Sequence, residues 1–140
     1  TLILNPVKPL SIGASFYNGK YGAQTMQYKR NRTTFGLKYD DGKLLVRSEY
    51  IQGTTKTTDA YGYYAAIAYY VTSKLQPVLK YDYFKSDKSN DLSSATVYML
   101  GANYWFAKNM RVQLNYSYRN FKNSFEKDTN YLTTQLLIEF

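Results

Sequence analysis

The stretch NYLTTQLLIEF, residues 130–140, decides how this chain reads. Leu132, Leu136, Ile138 and Phe140 fall on one side of an extended strand, while Thr133, Gln135 and Glu139 fall on the other. The same alternation recurs upstream. Between Arg111 and Arg119 every even position (Val112, Leu114, Tyr116, Tyr118) is apolar or aromatic, and every odd one (Arg111, Gln113, Asn115, Ser117, Arg119) is polar. Tyr98, Leu100, Ala102, Tyr104 and Phe106 form one such face, and Tyr61, Tyr63, Ala65, Ile67 and Tyr69 another. Each begins and ends on aromatics and carries aliphatic or small residues between them. A strand crossing two interfacial girdles with a hydrocarbon band between them has this pattern.

A strand whose final residue is phenylalanine, with apolar residues two and four before it, is similar to the C-terminal sorting signal of bacterial outer-membrane barrels. Leu136, Ile138 and Phe140 are therefore expected to act as an assembly signal, read by the barrel assembly machinery.

Composition agrees with a strand-built membrane protein. Mean hydropathy is mildly polar at -0.50, and no apolar run approaches the roughly 18 residues of a membrane helix. A membrane strand needs only about 9–11 residues with every second one apolar, so such a chain spans lipid while averaging as polar. The 17 tyrosines exceed what a compact core can use, since each buried hydroxyl needs a partner. A headgroup layer accepts the ring on one side and the hydroxyl on the other. Cysteine and histidine are absent, so disulfides, thiolate metal sites and histidine-based catalysis have no residues to work with. No cofactor and no enzymatic activity are expected. The chain opens at Thr1 without a basic or apolar leader, which leaves any secretory signal removed or upstream.

Eight strand-like segments are predicted within a single domain spanning residues 1–140. They cover about residues 8–18, 33–39, 43–51, 61–71, 75–84, 96–106, 110–121 and 130–140. The polar stretches 19–32, 52–59, 85–92 and 122–129 read as long loops. Asp40-Asp41-Gly42, Thr72-Ser73-Lys74 and Ala107-Lys108-Asn109 read as short turns, the first supported by the positive φ available to glycine. Alternating long and short connections are the pattern of a bacterial barrel, with short periplasmic turns and both chain ends on the periplasmic side. Pro77 is expected to mark a bulge or local break near that rim. The fold class is thus all-β, an antiparallel transmembrane β-barrel. A soluble antiparallel sandwich also alternates, but its apolar faces would be uniformly aliphatic rather than aromatic at their ends.

DAYGYYAAIAYYVTSKLQPVLKYDYF (residues 59–84) and LGANYWFAKNMRVQLNYSY (residues 100–118) resemble the phosphate-selective porin O/P family, particularly Bacteroidetes-like members. PLSIGASFYNGK (9–20) and KRNRTTFGLKYDDGKLLVRSEYIQG (29–53) are similar to the strands that precede them in that family. The resemblance implies an outer-membrane barrel of about sixteen strands, trimeric, passing small anions such as phosphate through a basic constriction. Eight segments would then be the C-terminal half. Closed on themselves, eight strands would enclose little more than their own side chains.

The face opposite the apolar one carries Lys38, Arg47, Glu49, Lys80, Asp82, Arg111, Arg119 and Glu139. Cations on a low-dielectric wall concentrate anions, and arginine binds a phosphate oxygen pair bidentately. Lys38, Arg47, Lys80, Arg111 and Arg119 are the expected pore-lining, anion-binding residues. The competing reading makes them structural, with Arg47 meeting Glu49 or Lys80 meeting Asp82 across neighbouring strands. Asp87, Asn90 and Asp91 lack the glycine and terminal glutamate of a calcium loop and read as a plain loop. Two other functions share features with a porin: a non-conducting barrel serving as anchor, scaffold or adhesin, and a soluble basic domain binding nucleic acid. The net charge of +8 suits the second, but its charges are spread over loops and strands rather than gathered on one face. Membrane lipid, small anions and further copies of the chain are the expected partners, and nucleic acid is not.

Overall fold

The computed structural model describes residues 1–23, 27–123 and 126–139. Among the described residues it contains nine strands and no helix: β1 (Leu2–Val7), β2 (Leu10–Tyr21), β3 (Tyr28–Asp40), β4 (Leu44–Thr55), β5 (Thr58–Tyr69), β6 (Leu75–Lys85), β7 (Ser94–Ala107), β8 (Met110–Phe121) and β9 (Thr129–Ile138). Each pairs antiparallel with the next, so sheet order equals chain order. The sheet is one layer thick. Ala68 is the only buried hydrophobic residue among those described, while Phe16 and Leu132 stand more than 60% exposed. A soluble domain of this length would bury a core; this sheet leaves its apolar face for another medium.

Three expectations are corrected. The strand count is nine rather than eight, because residues 2–7 form β1. Its alternation is broken by a register slip between Leu4 and Val7, at Asn5-Pro6, so a strict period of two hides it. Leu2 lies opposite Ala14, part-way along β2, whereas Ile138 pairs with Met110 at the short-turn rim, so β1 and β9 are not level there as expected. The stretches 19–32 and 52–59 are mostly strand. β2 and β3 pair continuously out to Tyr21↔Tyr28, and β4 and β5 are joined only by Lys56-Thr57. Strand ends that outrun the apolar band carry polar residues on both sides, so pairing continues after the pattern stops.

The turns at the other rim are short as expected. Asp41 Oδ1 accepts from the Lys43 and Leu44 amides at 2.9 and 2.7 Å, and Gly42 adopts a φ of 86°. Those amides hold the Asp41 carboxyl below the usual range. Pro77 lies one residue beyond the last β5–β6 pair, Ala68↔Val78, so its missing N–H falls where that side of the ladder has ended.

Directly paired residues share a face. Following the pairs across the sheet, one face carries Leu37, Ile67, Leu79, Leu100, Leu114, Leu132 and Leu136 with most of the tyrosines. Tyr50, Tyr61, Tyr83, Tyr63, Tyr81, Tyr98 and Tyr118 form an unbroken belt there, with ring centroids 5.2–6.5 Å apart. Strand charges on that face are Lys20, Lys29, Asp59 and Lys85, each within one residue of a strand end. The six strand glycines (13, 19, 36, 53, 62 and 101) all lie on the opposite, polar face.

A candidate ion-conducting face

The polar face gathers the predicted basic residues, though not at one point. Ser11, Lys38, Arg47, Ala66 and Lys80 form a single cross-strand row. Lys38 and Arg47 are direct partners, a like-charge pair that costs stability unless an anion or acid lies between. The next row runs Gly36, Glu49, Tyr64, Asp82, Val97, Arg119. Arg111 pairs with Trp105 near the short-turn rim. Eight residues of strand, roughly 27 Å, separate Arg111 from Arg119 at the two ends of β8.

Acidic partners are few. Lys38 Nζ meets Asp40 at 2.9 Å and Lys80 Nζ meets Asp82 at 2.8 Å. Both pairs link residues two apart on the same strand, which corrects the expected cross-strand pairing of Lys80 with Asp82. Their side chains are a third or more exposed, so each contributes about 0–1 kcal/mol. Among the described residues no carboxylate lies within ion-pair distance of Arg47, Arg111 or Arg119, and the expected Arg47–Glu49 bridge is absent. Arg111 instead lies 5.3 Å from the Trp105 centroid, and Arg119 lies 5.7 and 5.9 Å from Phe121 and Tyr131. A ring face holds a guanidinium in place without neutralising it.

Two further arginines belong to this face. Arg30 and Arg32 pair with Gly19 and Tyr17 on the glycine-bearing side of β3. Arg32 donates to the Thr54 carbonyl at 3.2 Å and to Thr55 Oγ1 at 2.9 Å, lying over Gly53, where a Cβ would meet its Cδ at 2.6 Å. Both fall in the stretch 19–32 that its polarity marks as a loop, although the alternation Arg30, Arg32, Thr34, Gly36, Lys38 is present in the sequence. The strands thus place seven basic residues here (Arg30, Arg32, Lys38, Arg47, Lys80, Arg111, Arg119) against three acids (Asp40, Glu49, Asp82). Below the charged rows, Gln76, Asn103, Gln113 and Gln135 form a row of amides across β6–β9, with Asn103 Nδ2 donating to Gln76 Oε1 at 3.0 Å.

Of the assembly-signal residues, Leu136 pairs with Val112 and Ile138 with Met110 on the aromatic face. Phe140 lies outside the described residues.

A single-layer antiparallel sheet with an aromatic belt on one face and a basic, glycine-bearing surface on the other has the build of a transmembrane β-barrel wall. The chain belongs to the phosphate-selective porin O and P family, whose model matches residues 3–140. Among solved structures it is similar to an anion-selective porin from Comamonas acidovorans, with a TM-score of 0.72 and 17% identity. That likeness covers 95% of this chain and 42% of the porin, so the chain spans less than half of that relative. No curated protein matches. A member of this family belongs to the bacterial outer membrane, and the family is one of channels rather than enzymes.

Proposed function

We propose that this chain is a stretch of wall, folding as one unit, in an anion-selective outer-membrane channel through which small solutes such as phosphate diffuse passively. The observation that carries it is the excess of basic residues on the polar face, with Arg47, Arg111 and Arg119 free of carboxylate partners among the described residues. Residues within a Debye length of about 8 Å of the path act on a permeating ion. Arg111 and Arg119 lie too far apart for one binding site, so they work as a graded field along the wall, with Lys38, Arg47 and Lys80 between. Strands β1 and β9 each pair on one side only. A bare edge in lipid leaves its amides and carbonyls unsatisfied, so further strands complete the wall, toward the roughly sixteen of a porin. The aromatic face meets lipid, and Leu136 and Ile138 serve recognition by the assembly machinery. Trimers of the complete barrel follow from the family likeness.

Reversing Arg111 and Arg119 together to Glu in the intact protein tests the field. Reversal potential under a salt gradient should shift toward cations, most at low salt, whereas Lys122→Glu with Lys127→Glu in the loop should shift it less. Unchanged selectivity in the first variant would make those arginines structural, and absence of conductance in the unaltered protein would favour a scaffold barrel.

A further inference from the structure

Each of the four connections at the short-turn rim carries a lysine: Lys8, Lys43, Lys74 and Lys108. Three of them converge. A cleft of about 990 Å³ lies between the β3–β4, β5–β6 and β7–β8 turns, lined by Lys43, Lys74 and Lys108 together with Ser73, Trp105 and Phe106. No aspartate or glutamate lines it. Asp41, in the β3–β4 turn, accepts from the Lys43 and Leu44 amides and the Tyr39 hydroxyl, and Glu139 lines a smaller neighbouring cavity with Lys108. The walls are tied together: the Tyr70 amide donates to the Lys43 carbonyl and the Trp105 amide to the Lys74 carbonyl, both at 2.9 Å. Tyr70 and Trp105 pack with centroids 5.2 Å apart, so the cleft is a built feature of three joined turns. Lys43 Nζ sits 5.2 Å from the Tyr69 ring centroid, and hydrogen bonding to the Tyr69 hydroxyl raises its pKa and keeps it charged.

We infer that this cleft binds the phosphate headgroup of an anionic phospholipid from the leaflet at the short-turn rim. Three ammonium groups and the Ser73 hydroxyl supply donors for phosphate oxygens. Val71 and Phe106 give an apolar wall on which the glycerol and upper acyl chain rest, a surface that a free inorganic anion would not need. Its position at headgroup level puts the site within reach of lipid, and basic residues beside an anionic leaflet attract it. The cleft adjoins the ion path through Trp105, whose ring also holds Arg111, but none of its three lysines is among the residues assigned to that path.

The test compares the intact protein with a Lys43→Gln, Lys74→Gln, Lys108→Gln variant, each in nanodiscs of phosphatidylglycerol mixed with phosphatidylcholine. Native mass spectrometry counts the lipid retained after transfer to detergent. The unaltered protein should retain phosphatidylglycerol preferentially, the triple variant should lose that preference by roughly ten-fold or more, and Lys88→Gln, Lys122→Gln, Lys127→Gln at the opposite rim should keep it. Heat-modifiable electrophoretic mobility and unchanged conductance confirm a folded barrel, and separate this result from failure of the channel reading. Equal retention in both variants, or displacement of the lipid by excess inorganic phosphate, would overturn the inference.

Discussion

The two faces of this sheet are built from the same strands and differ by one residue in register. On the aromatic face, Leu114 sits between Ala102 and Thr134; on the polar face, its neighbour Gln113 sits between Asn103 and Gln135. One face excludes charge except at strand ends. The other collects arginine, lysine and every strand glycine. In a soluble sandwich the apolar face would be the buried one, but here it is the more exposed in large side chains. The comparison shows that the medium, rather than burial inside the chain, sorts these residues.

The sharpest way to break that contrast is to place a charge on each face at the same depth. Leu114→Arg should cost roughly 2–4 kcal/mol near mid-membrane and reduce assembled barrel. Gln113→Arg should be tolerated, as judged by heat-modifiable mobility and urea midpoints in lipid vesicles. The reverse ranking would exchange the two faces.

A second contrast uses size instead of charge. A Cβ at Gly101 would lie 3.0 Å from the Leu114 carbonyl and press on the Asn115 side chain. Gly101→Val should therefore destabilise by about 1–3 kcal/mol. Ala102→Val faces outward and should cost less than about 0.5 kcal/mol, measured by the same unfolding midpoints. Equal costs would mean the polar face is not the crowded one.

The smallest effect concerns the long-loop rim, where Lys85 Nζ meets Asp91 Oδ1 at 2.7 Å and pins the β6–β7 loop. Lys85 holds the Asp91 carboxyl below the usual carboxylate range. A depressed folded value means the contact contributes above the unfolded value of about 4 and is lost as pH falls through the lower folded one. Protease cleavage within residues 86–93 should rise at acid pH, Asp91→Asn should match it at neutral pH, and added salt should blunt the difference because Asp91 is exposed. A loop equally protected in Asp91→Asn would assign the pinning to the Asp87–Ser93 hydrogen bonds instead.

Side-chain facing was legible in the sequence because it is local: successive Cβ atoms alternate whatever the partner strand does. That is why Leu132, Leu136 and Ile138, or Lys80 and Arg119, were assigned to their faces from residue type alone. Strand ends were not legible, since polar residues occupy both faces beyond the apolar band, and Arg30 and Arg32 were lost there. β1 was hidden by a one-residue slip. Adjacency between strands lies outside any local pattern. That Lys38 faces Arg47 across β3–β4, that Lys80 meets Asp82 along its own strand, and that Lys43, Lys74 and Lys108 surround one cleft depend on register and on turns far apart in the chain. Local alternation is enough to say which face a residue occupies; which residues stand side by side emerges with the folded sheet, because register is set between strands and not within one.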